Sequence, residues 1–189
     1  MPRGPDQMAK ASKLSRHRAR LKPELVPQPL WGINACKLLR PQSLWRSIRS
    51  DELERAGQRC EACTGITHPL YCHERWRYDD RKKEAVLTGF RVVCKNCNRA
   101  VHMGLARSRG ELPEALAQLA RVNAITEAEA NRMFERASAT WEKRSLRHWR
   151  VTVRPRLLKA FPQLRVLVGL NTRSAAALPS EAVPTIRLD

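Results

Sequence analysis

Two short cysteine pairs constrain this chain more than any other feature. Cys60 and Cys63 form one C-x-x-C and Cys94 and Cys97 another, with thirty residues between the inner members. Four thiolates on two such knuckles close a tetrahedral site around zinc, an ion that accepts soft ligands and has no redox chemistry. A site filled in this way has no open position for catalysis, so its role is structural. Coincidental pairing of free thiols is the alternative, and the tight spacing argues against it. Bound zinc would also explain how a small core stays folded.

Charge narrows the partners. Lys and Arg total 36 against 18 Asp and Glu, a formal net charge of +18 in 189 residues. That excess points to a polyanion, most simply nucleic acid, over a merely solvated surface. The start of the chain holds no apolar run suited to a signal peptide, and no later segment has the apolar length of a membrane span. The expected location is the cytoplasm, on the nucleoid when bound to DNA. In that reducing setting closely spaced cysteines are better read as metal ligands than as disulfides.

The chain divides by composition. Residues 1–29 carry Arg3, Lys10, Lys13, Arg16, Arg18, Arg20 and Lys22 against only Asp6 and Glu24, and read as a basic disordered tail that could lie along phosphates. "SLWRSIRSDELERA" spaces Leu44, Ile48 and Leu53 as a helix, with Ser43 as N-cap and Gly57 as the stop. Trp45 within it is read as packing in preference to base stacking. Between the cysteine pairs, "HPLYCHERWRY" and "EAVLTGFRVV" read as two strands of a hairpin turning at "DDRKK". After Cys94, a helix would carry Cys97, Val101 and Leu105 on one stripe and Asn98 and His102 together on the next. Two more helices follow. The second opens with a Thr126/Glu129 capping box and buries Ala130, Met133, Phe134, Ala137 and Trp141. Its basic end interleaves Trp141 and Trp149, a composition that suits a nucleic-acid backbone or a solvated face equally. "RLLKAFPQLRVLVGL" is apolar enough to pack or to meet a partner, and the last residues read as a loose tail.

The order knuckle, hairpin, knuckle, helix carries a resemblance. "CEAC", "YCHERWRYDD" and "VVCKNCNRAVHMG" resemble the HNH endonucleases of the zinc-supported, treble-clef kind, over roughly residues 45–123. "LWGINACKLLRPQSLWRSIR" and "LAQLARVNAIT" resemble segments that flank this motif in bacterial and phage-associated members. The resemblance implies an α+β fold: a small treble-clef ββα-metal core with structural zinc at Cys60, Cys63, Cys94 and Cys97. Flanking helices and the basic N-terminal tail complete it. Composition and this resemblance together divide the chain into a tail at 1–29, the zinc domain with its preceding helix at 30–123, a helical extension at 124–170 and a flexible tail at 171–189.

The implied activity is metal-dependent hydrolysis of phosphodiester bonds in nucleic acid, most simply double-stranded DNA. His73 matches the general base on the first strand, where an imidazole of near-neutral pKa suits proton abstraction from water. Asn98 matches the ligand of the catalytic Mg²⁺ or Mn²⁺, with His102 one turn on. Where many members carry Asp or His before the base, this chain has Cys72, a poor ligand for magnesium. Glu74, then Asp79 and Asp80, are the acids at hand to replace it, although alternation points Glu74 across the sheet. No Asn lies between His73 and Cys94, so orienting the base falls to another group.

Plainer readings stand beside these. His73 and His102 could be hydrogen-bonded structural histidines, Cys72 a fifth thiol or a small apolar residue, and Cys36, His68 and Trp76 packing residues. A zinc-stabilised nucleic-acid-binding protein with a degenerate, inactive site is the alternative function. A protein-binding zinc module is the third, disfavoured by the charge.

Overall fold

The computed structural model describes residues 20–172. Helices α1 (Ala35–Leu38) and α2 (Gln42–Arg55) precede an antiparallel hairpin of β1 (Leu70–Asp79) and β2 (Glu84–Cys94). Helices α3 (Lys95–Val101), α4 (Met103–Ser108), α5 (Leu112–Asn123) and α6 (Glu127–Ser145) follow, then strand β3 (Arg150–Val153) and helix α7 (Pro155–Ala160). The fold is α+β, with β3 pairing parallel to β2 in a sheet of order β1-β2-β3.

The hairpin divides its side chains between two cores, by alternation from Cys72 to Tyr78 on β1, while at the knuckle end Leu70, Val92 and Val93 all enter the first core. One gathers Leu70, Val92, Val93 and the knuckle residues with α3, α5 and α6, including Val101, Leu119 and Phe134. The other gathers Ala85, Leu87 and Phe90 with Ile48, Trp149, Val151, Leu164 and Leu167. Cys72, Trp76 and Tyr78, spaced by even steps on β1, pack on this second core. A bulge at Arg75/Trp76 pairs Arg75 with Gly89 and Trp76 with Leu87, so β2 carries the extra residue Thr88. That residue explains why the second core takes Leu87 and then Phe90, three positions on.

Several local features follow from the residues. Asp79 caps the hairpin turn, its Oδ1 accepting from the amides of Arg81 and Lys82. Gly57 stops α2 with φ +59°, a left-handed conformation glycine adopts without a Cβ penalty. The capping box of Thr126 and Glu129 opens α6.

Other expectations are corrected. Ser43 is not the N-cap of α2, because the helix starts two residues earlier than that cap implies, at Gln42 behind Pro41. The helix after Cys94 breaks at His102 (φ −88°, ψ 46°), so Met103 and Ala106 replace Leu105 as the buried continuation of Cys97, Ala100 and Val101. Trp149 is fully buried, stacked edge-on against Tyr78 with its indole N–H donating to the Arg144 carbonyl, and cannot stack on a base. Trp141 donates to the Val26 carbonyl. Cys36 and His68 are exposed and do not pack in a core. Residues 20–29, read as disordered, are ordered here: Leu21 is fully buried, and its amide and carbonyl both bind the Asn123 side chain. The remainder of that tail and residues 173–189 lie outside the described residues. Among the described residues no helix is long and apolar enough to cross a membrane.

Candidate metal centre and histidine pair

The first knuckle is a tight turn in which the Cys60 amide donates to the Gly65 carbonyl and the Thr64 amide to the Cys60 carbonyl. The second lies where β2 runs into α3, so strand pairing and the first helical turn deliver Cys94 and Cys97 together. The four sulfurs lie within 4.8 Å of one another. Cys63 and Cys94 Sγ are 3.8 Å apart, matching the edge of about 3.8 Å in a tetrahedron built on zinc–sulfur bonds of about 2.3 Å. Cys60, Cys94 and Cys97 are buried. The hydrogen bond from Cys97, helped by backbone amides, pulls the Cys60 thiol down, while the same contact pushes Cys97 up and burial pushes Cys94 up, so the sulfurs share protons that a bound cation would displace. The Gln118 side-chain amide donates to Cys97 Sγ at 3.0 Å from helix α5, a supporting contact of the kind that orients ligands and tunes a metal site. This donor set fits a closed structural zinc site.

On the same face of the hairpin, β1 meets the end of α3. His73 Nδ1 lies 3.1 Å from His102 Nε2, the rings edge-on with centroids 4.7 Å apart. His73 Nε2 lies 3.2 Å from Glu24 Oε2, with the His73 side chain only 8% exposed. Burial, reinforced by His73, depresses His102 to about 3 and keeps its ring neutral. Its place at the α3–α4 break brings the ring to the hairpin. Asn98 is one turn earlier, half-buried, its carbonyl accepting the His102 amide. Alternation places Arg75 and Arg77 on the face of β1 that carries His73, and both are exposed.

The acids named from sequence do not join this site. Glu74 points to the second core, where Oε1 accepts the Ala35 amide and Oε2 the Trp76 indole N–H. Burial raises its pKa, as expected of a carboxyl group fixed in an apolar layer. Asp79 is used in the turn, and Asp80 is paired with Arg144 and Arg147. Cys72 also faces the second core, outside the four-sulfur group, its thiol pushed up to about 12 by burial. The acid that does reach His73 is Glu24, which sequence reading left in the tail. Its only signal was being one of two acids in a strongly basic segment. Comparison of the chain with protein-family models, with curated proteins and with solved structures finds no match.

Proposed function

We propose that this protein is a metal-dependent endonuclease of the HNH kind, cutting phosphodiester bonds in double-stranded DNA. The observation that carries the reading is the 3.1 Å approach of His73, on the first strand, to His102, at the end of the helix that leaves the second knuckle. A strand imidazole and a helix imidazole meet beside a four-thiol site, the arrangement that a zinc-braced ββα-metal nuclease needs. In this reading zinc sits on Cys60, Cys63, Cys94 and Cys97 and takes no part in the chemistry.

His73 is the general base, taking a proton from the attacking water. His102, with Asn98 one turn before it, would hold the catalytic ion, and Glu74 has no part because it faces away. That ion would supply charge stabilisation at the scissile phosphate and the leaving oxygen. A neutral imidazole and an amide oxygen suit Mn²⁺ better than Mg²⁺, which prefers oxygen ligands and retains water. Arg75 and Arg77 follow His73 on the same face and would take phosphates on either side of the cut.

The test is incubation of end-labelled duplex DNA with the zinc-loaded protein in Mn²⁺, in Mg²⁺ and in a chelator of divalent ions. The reading expects cleavage that is faster in Mn²⁺ than in Mg²⁺ and absent without either. One observation favours the alternative, a binding protein with a degenerate site: the hairpin offers no acidic ligand to this face, since Glu74 is turned away. A gel shift without cleavage in either ion would establish that alternative.

A further inference from the structure

The hydrogen-bond chain at the histidine pair ends on a residue from outside the hairpin and its helix. The Glu24 amide donates to the Val101 carbonyl at 2.9 Å, one residue before His102. Three residues earlier, Leu21 is buried and clamped by Asn123 at 3.0 and 2.9 Å. Two residues later, the Val26 carbonyl accepts the Trp141 indole N–H at 3.0 Å. The segment is therefore fixed on both sides of Glu24, and its carboxylate is delivered to His73 Nε2 at 3.2 Å. No acid of the hairpin does this, because Glu74, Asp79, Asp80 and Glu84 are each held elsewhere.

A carboxylate only accepts hydrogen bonds, so His73 Nε2 must carry the hydrogen. A neutral imidazole protonated there has its lone pair on Nδ1, which at 3.1 Å accepts from His102 Nε2–H, so His102 would hold an ion through its Nδ1. From these contacts we infer that Glu24 is the positioning residue of the site, fixing His73 in the Nε2–H tautomer with its proton-accepting lone pair on Nδ1. The segment around Glu24 is then part of the site and not a leader to it. The catalytic consequence rests on the nuclease reading above; the tautomer does not.

Long-range ¹H–¹⁵N correlation spectra of the full-length, zinc-loaded protein read the tautomer directly, near neutral pH. Wild-type His73 is expected to show a protonated Nε2 and an unprotonated Nδ1. Glu24→Ala should lose this single tautomer, whereas Glu24→Gln, whose amide oxygen still accepts from Nε2–H, should keep it. DNA cleavage should fall about 10- to 100-fold in Glu24→Ala, with KM for DNA little changed, and recover most of its rate in Glu24→Gln. A wild-type His73 protonated on Nδ1, or a tautomer unaltered in Glu24→Ala, overturns the inference. If the tautomer behaves as expected and the wild type cuts no DNA, Glu24 keeps its positioning role and the nuclease reading falls.

Discussion

His102 shows how far a single side chain couples this site to stability. Its folded-state pKa of about 3 lies below the ordinary 6.5. Above pH 6.5 both folded and unfolded chains leave it neutral; below that, only the unfolded chain binds the proton. Stability therefore falls as pH drops from about 6.5 towards 3, by about 1.4 kcal/mol per pH unit. Between pH 7 and about pH 5 the wild type should lose about 2 kcal/mol that a His102→Gln variant does not lose. Denaturant unfolding of the two zinc-loaded proteins measures the difference, and equal losses would show that His102 titrates normally when folded. Gln118 offers a second test at this scale. Replacing it with Leu removes the donor to Cys97 and should weaken zinc affinity about 10- to 100-fold in chelator competition, with the fold retained. Unchanged affinity would mean that the amide does not tune the site. The four-cysteine group was legible in the sequence because its signal is local, a fixed spacing, and the strand that carries His73 was legible from its period-two pattern. Glu24 was not, because its partner lies 49 residues away and its own segment has the composition of a solvated arm.

At the scale of elements, the hairpin and α3 were legible from period-two runs, the charged turn and the second C-x-x-C. The break between α3 and α4 was not. It depends on His102 leaving helical geometry so that Met103 and Ala106, instead of Leu105, enter the core. Strand β3 was also missed, though Val151 and Val153 alternate with Arg150 and Thr152 as a half-buried strand should. Four residues beside a basic helix end are too few to outweigh its charge pattern, and pairing with β2 is a tertiary contact. Trp149, the residue just before this strand, is fully buried in the second core, so Trp149→Ala should cost about 3–5 kcal/mol in chemical denaturation. A loss below about 1 kcal/mol would show that the indole is dispensable to that core.

For the whole molecule, the two cores share one hairpin: the face that packs on the cysteine knuckles also presents His73, Arg75 and Arg77. On the proposed function, a net charge of +18 should make DNA affinity salt-dependent, and replacing both Arg75 and Arg77 with Ala should reduce the slope of log affinity against log salt by about two. A slope unaffected by the pair would move the DNA to another face. The positive charge was legible from composition, while the exposed face that carries Arg75 and Arg77 depended on which residues alternation left outside the cores. The claim that joins these scales is that His73 is the base of a DNA-cutting site. Its most direct test is nicking of supercoiled plasmid in Mn²⁺ by the wild type and by His73→Ala, both shown to carry one zinc. The account predicts relaxed circles for the wild type and none for the variant under conditions where both still bind the plasmid; equal nicking by the two proteins would contradict it.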